Sequence, residues 1–208
     1  FFSTENGTVK KTALGDFANV RKGGIIAINI DENDRLIDVK LTSGQDEVVL
    51  ITREGMSIRF SEDDVRAMGR PAAGVRGINL GKTDAVVALA VVMADATLLG
   101  AGETGIGKRS DFGEYRIQSR GGKGIITMKT TDKTGGVVGA LTVRETDELM
   151  LITVGGQMVR TFVKDIREAG RNTMGVKLID LAEGDKLQAI APVVSEEDDE
   201  AEESEGQE

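Results

Sequence analysis

Four cations stand at one place in a repeating frame. Lys11, Arg59, Arg109 and Arg160 each follow a glycine by four residues, and those glycines, Gly7, Gly55, Gly105 and Gly156, lie 48, 50 and 51 positions apart. A second set, Gly24, Gly74, Gly124 and Gly175, is spaced by 50, 50 and 51, and each is followed four residues later by Ile28, Ile78, Met128 or Ile179. Charges that recur with a structural repeat fall into a row on the assembled body. The chemistry open to such a row is neutralisation of a polyanion, with release of its condensed counterions.

The row widens into a zone when equal windows are compared. Residues 10–27, 58–75, 108–125 and 159–176 together hold 16 bases against eight acids. The candidate phosphate-contacting residues are Lys10, Lys11, Arg21, Lys22, Arg59, Arg66, Arg70, Lys108, Arg109, Arg120, Lys123, Arg160 and Arg171, with Arg76 and Lys177 just beyond the windows. Arg116, Lys164 and Arg167 also lie in the zone. The formal net charge of −9 hides this balance, because residues 195–208 contain nine acids and no base. The body is neutral and the tail carries the whole excess; the tail is expected to be disordered. Against the phosphate reading stands a plainer one, in which surface charges are merely copied by the repeat. A basic rim would bend double-stranded DNA without reading bases. Bending a 20–30 base-pair site costs about 1–6 kcal/mol, which a few phosphate contacts of non-specific strength offset. Aromatic residues make up 3% of the chain, too few for single-strand stacking.

Other motifs fail on inspection. Gly100, Gly102 and Gly105 fit G-x-G-x-x-G, and Gly102, Gly107 and Lys108 fit a Walker pattern until Arg109 occupies the Ser/Thr place. A phosphate loop needs a helix after the lysine and a hydroxyl for Mg²⁺. The stretch aligns instead with residues 5–11 and 53–59, so the repeat accounts for the lysine. There is no histidine and no cysteine, so triad chemistry and Cys zinc sites are excluded. Asp31, Glu32 and Asp34 lack EF-hand spacing and suit a solvated turn. Tyr115, the single tyrosine, suits a packing residue with a wet hydroxyl. No catalytic residue, metal site or cofactor is expected in this chain.

The elements that must carry the charges read as all-β. Gly is high at 27 residues, Pro low at 2, and short apolar runs end at turn residues. A period near 50 points to a propeller-like array of four-stranded blades, with repeats at 1–45, 46–94, 95–145 and 146–194. Within each unit an apolar first strand (46–52, 95–99, 147–153) leads through a tight turn to a second strand bearing the cations. A loop follows, then a third strand (25–30, 75–80, 125–128, 176–181) and a fourth (36–41, 86–92, 137–143, 187–193). A helical patch is expected at 62–68. One repeat cannot bury its apolar face alone, so the core must form between neighbours. No apolar run is long enough to span a membrane. The opening Phe1-Phe2-Ser3-Thr4 resembles the end of a strand, which predicts an excised piece of a longer protein, without a signal peptide.

The stretch Gln118-Ser119-Arg120-Gly121-Gly122-Lys123-Gly124 resembles the box Q-[RK]-R-G-G-K-G of the C-terminal domain of the DNA gyrase A subunit. Asn6-Gly7-Thr8-Val9-Lys10-Lys11-Thr12, Leu41-Thr42-Ser43-Gly44, Val65-Arg66-Ala67-Met68-Gly69, Gly74-Val75-Arg76-Gly77-Ile78 and Gly170-Arg171-Asn172-Thr173 are similar to that family in the family's order. The resemblance covers residues 1–194. It implies a β-pinwheel that wraps duplex DNA around a basic rim. It also implies service in negative supercoiling, within an A2B2 complex that includes the B subunit of gyrase and the N-terminal part of the A subunit. ATP and Mg²⁺ are implied only for that holoenzyme, and the location implied is the bacterial cytoplasm and nucleoid. Three departures stand out. Ser119 replaces a cation; the box lies in the third unit instead of the first blade; four repeats are visible where six are common, so one or two N-terminal blades are expected to be missing. The alternatives are the matching domain of topoisomerase IV, which shares the fold, and a protein-interaction propeller.

Overall fold

Runs such as Val48-Val49-Leu50-Ile51 have no polar alternation, so a strand built from them must be covered on both faces. The computed structural model describes residues 1–193 and meets that demand by stacking sheets face to face. The predicted tail at 195–208 lies outside the described residues. Repeat one supplies β1 (Phe2–Thr4), β2 (Thr8–Lys10) and β3 (Leu36–Val39). Repeat two supplies β4 (Glu47–Thr52), β5 (Met56–Ser61), β6 (Val75–Arg76) and β7 (Val86–Val91). Repeat three supplies β8 (Thr97–Gly102), β9 (Ile106–Asp111), β10 (Ile125–Ile126) and β11 (Val137–Val143). Repeat four supplies β12 (Glu148–Thr153), β13 (Met158–Phe162), β14 (Val176–Lys177) and β15 (Leu187–Pro192). All pairings between these strands are antiparallel.

The sheets are not the sequence repeats. Their strand orders are β3-β1-β2-β6, β10-β5-β4-β7, β11-β8-β9-β14 and β13-β12-β15. The third strand of each repeat has left its own blade and closes the preceding one: Val75 pairs with Val9, Ile125 with Ser57 and Val176 with Gly107. This corrects the expectation of four strands drawn from one unit. The third strands are also shorter than expected, and residues 25–30, which have no earlier described blade to join, form no strand. The helical patch contracts to a 3-10 turn, Glu62–Asp64, repeated at Phe112–Glu114 and Val163–Asp165.

The core lies between blades. One face of β4, Val48 and Leu50, packs with Val9 of blade one; the other, Val49 and Ile51, packs with Leu98, Tyr115 and Met128 of repeat three. Leu149 and Leu151 of β12 join the third interface with Leu99 and Ala101, while Met150 and Ile152 on the opposite face are only half-buried. Each fully buried aliphatic side chain contributes about 1.5–3 kcal/mol, so the interfaces hold the array together. β3, β7, β11 and β15 pack on one another along the inside, which leaves β6, β10 and β14 as outer edges. No helix among the described residues is long and apolar enough to cross a membrane.

Candidate nucleic-acid interface

The exchanged strand decides where the cations stand. Gly74, Gly124 and Gly175 begin it in the left-handed region, at φ +108, +77 and +103. A Cβ there would lie 2.2–2.5 Å from the carbonyl oxygen of Val9, Ser57 or Gly107 in the preceding blade. Glycine is thus required twice over, by conformation and by close approach. The residue two places on, Arg76, Ile126 or Lys177, points to solvent from the outermost strand. Four residues before the glycine stands an arginine that reaches back to the earlier repeat. Arg70 Nη1 donates to the Ile26 carbonyl at 3.4 Å, Arg120 Nη1 to Arg76 at 3.0 Å, and Arg171 Nη1 to Ile126. These arginines place a cation at every seam, joined by Arg76 on β6 and Lys177 on β14, whereas β10 carries none.

The predicted phosphate contacts separate into two groups. Arg21, Lys22, Arg66, Arg76, Lys123 and Lys177 are exposed, and Arg70, Arg120 and Arg171 are half-buried along the rim. Lys177 also binds Asp180 at 2.6 Å. Arg116 and Arg167 are exposed and repeat Arg66 at intervals of 50 and 51. That period is the signal that adds them to the set.

The second-strand cations are different, and here the sequence expectation is corrected. Lys10, Lys108 and Arg109 are only 0%, 3% and 7% exposed. Arg59 is half-buried; it pairs with Glu47, and its Nη1 donates to the carbonyls of Phe112 at 2.6 Å and Tyr115 at 3.1 Å. Arg109 repeats the arrangement one blade on, with Nε on the Ile166 carbonyl and Nη2 on Glu145, each at 2.8 Å. Lys11 lies 3.6 Å from both Glu62 and Asp63, and exposed Arg160 pairs with Glu148. All but Arg160, whose partner lies in its own sheet, fasten blades to one another. Arg160 does face outward, and the expectation fails for the others because it assumes one wet face per strand, whereas neighbouring blades and loops cover the faces that carry them.

The box-like stretch is a clasp across a seam. Gln118 N–H donates to the Arg59 carbonyl at 2.8 Å, and Gly121 N–H to Gly77 at 2.6 Å. Gly122 accepts from Asn79 N–H at 2.9 Å, and Gly124 lies against Ser57. Ser119 and Lys123 face solvent, and Arg120 Nε donates to the Asp64 carbonyl at 2.8 Å. The Walker-like lysine sits within strand β9, which is followed only by the three-residue 3-10 turn Phe112–Glu114, and its Nζ lies on the carbonyls of Gly170 and Arg171. Tyr115 is a packing residue, but its hydroxyl is buried and bonded to Thr127 Oγ1 at 2.7 Å instead of wet.

A family model described as "DNA gyrase C-terminal domain, beta-propeller" matches residues 1–43, 46–93, 96–144 and 147–193. The DNA gyrase A subunit of Klebsiella oxytoca is 48% identical over 200 residues, and that of Escherichia coli K12 is 49% identical over 201. These alignments take in 96% and 95% of this chain but 23% of each relative, so the chain spans about a quarter of their length. A solved C-terminal domain of DNA topoisomerase IV superposes with a TM-score of 0.89 at 27% identity, covering 100% of this chain and 66% of that one. A solved DNA gyrase A C-terminal domain gives 0.83 at 27% identity, covering 93% and 64%.

Proposed function

The chain belongs to the family of DNA gyrase C-terminal domains, and from that premise we propose that it binds, bends and wraps duplex DNA around its outer rim without reading sequence. It serves ATP-dependent negative supercoiling as part of the gyrase A subunit. The observation that carries this reading is the recurrence of exposed or rim-lying cations at each seam: Arg66, Arg70 and Arg76, then Arg116, Arg120 and Lys123, then Arg167, Arg171 and Lys177. Guanidinium groups spaced along a curved edge contact successive phosphates and carry no base information. The proposed partners are double-stranded DNA, the gyrase B subunit and the N-terminal part of the A subunit, in an A2B2 complex in the cytoplasm. This chain supplies no catalytic group or cofactor; ATP and Mg²⁺ act elsewhere in the holoenzyme.

Titration of a mixed-sequence duplex tests the proposal. The logarithm of the affinity should fall linearly with the logarithm of salt, by about 0.9 per phosphate contacted; a flat response rejects the rim. Relaxed plasmid treated with the protein and a nicking-closing enzyme should also change linking number. The TM-score of 0.89 to the topoisomerase IV domain supports a second reading, that this is the corresponding domain of that enzyme. Supercoiling against decatenation by the reconstituted enzyme separates the two.

A further inference from the structure

Three residues after the turn glycine, the four repeats carry Lys10, Ile58, Lys108 and Val159. Each of the two buried lysines lies in the seam between its own blade and the loop of the next repeat. Lys10 Nζ donates to the Arg70 carbonyl and, at 2.5 Å, to that of Ala27. Lys108 Nζ donates to the Arg171 carbonyl and, at 2.6 Å, to that of Gly170. In both seams one acceptor is the main-chain oxygen of the rim arginine itself. Arg171 is held from its other side as well, its N–H donating to Glu114 Oε2 at 2.6 Å.

The seam without a lysine is built differently. Ile58 is fully buried there, and a Cβ on Gly122 would meet its Cδ1 at 3.5 Å. Arg120 has two guanidinium anchors, on the carbonyls of Asp64 and Arg76, where Arg70 and Arg171 each have one. A buried ammonium is costly to desolvate. An aliphatic residue already fills this position in the same chain, so packing alone does not require the charge.

Resting on the reading of the rim as the DNA-contacting surface, we infer that Lys10 and Lys108 are positioning residues. Each clamps the loop of the following repeat and so fixes where Arg70 or Arg171 stands on the rim. Neither lysine touches DNA. The phosphate contacts of the second and fourth repeats therefore depend on ammonium groups inside the seams, and that of the third does not.

The test uses Lys108→Ile, which reproduces the Ile58 seam, Arg171→Ala and the double variant, all in the 208-residue chain. Two measurements are made: amide hydrogen exchange of the free protein, and affinity for a mixed-sequence duplex at low salt. Lys108→Ile should speed exchange at residues 170–173 by about tenfold while β8 stays protected, since local opening is freed without global unfolding. It should weaken duplex binding roughly fivefold, as far as Arg171→Ala does. The double variant should be no weaker than either single one, because the two act through one contact. Unchanged exchange at 170–173 overturns the clamp whatever DNA binding does, and multiplying effects overturn its action through Arg171. If Arg171→Ala leaves binding intact, the rim reading fails, and the exchange data still decide the clamp. Should Lys108→Ile not fold, Lys10→Ile with exchange followed at residues 69–72 tests the same clamp in the other seam.

Discussion

An ammonium bears three donors on a flexible stem, whereas a guanidinium bears five in one plane, and the difference sorts the cations of this chain. Arg59 spans a seam with that plane, one side on Glu47 and the other on two carbonyls of the next repeat. Arg59→Ala should cost about 1–3 kcal/mol, since it strands those acceptors. Arg66→Ala should change stability by less than about 0.5 kcal/mol yet weaken duplex binding; urea unfolding and a DNA titration measure the pair. Lys108 gives a pH signature. Burial pulls its ammonium from 10.5 down to about 8, Glu114 opposes that shift and Arg171 adds to it. The folded chain releases this proton from about pH 8, whereas the unfolded chain keeps it until the ordinary lysine value. The wild type should therefore gain stability relative to Lys108→Met as pH rises through that window, as read by unfolding at pH 7, 8.5 and 10. None of this was legible from residue type. Val9 and Lys10 alternate as an inside–outside pair would, but the loop carbonyls of Ala27 and Arg70 and the Phe2 ring enclose the second face of β2, and Lys10 is as buried as Val9.

Among the elements, the third strand carries the most information. Its existence was legible from Val75, Ile125 and Val176, each an aliphatic residue after a glycine. Its partner was not, because strand periodicity records which side chains share a face and says nothing about which neighbour completes the hydrogen bonds. The four equivalent glycines test the exchange. Gly124 has a positive φ and would press a Cβ to 2.2 Å from the Ser57 oxygen; Gly24 has the same φ of +77 but nothing within 4 Å. Gly24→Ala should cost about 1 kcal/mol, the conformational term alone. Gly124→Ala should cost about 1–3 kcal/mol more, because a clash with main chain cannot be relieved by rotating a side chain. Denaturant midpoints of the two variants provide the comparison.

At the scale of the molecule, charge is segregated: an acidic segment at 195–208 adjoins a body whose rim is basic. We propose that the segment's nine carboxylates compete with phosphate for the rim cations. Deleting residues 195–208 should tighten duplex binding at low salt, with the gain fading as salt rises; equal affinity for the two lengths would assign the segment another task.

The displaced strands also govern how this polypeptide can be divided. A cut between residues 94 and 95 falls cleanly in the repeat of the sequence, but β10 is then on one piece and its host β5 on the other. The upstream piece has a raw edge and the downstream piece an orphan ribbon that fits it. Mixed together, the two halves should find each other and rebuild the seam.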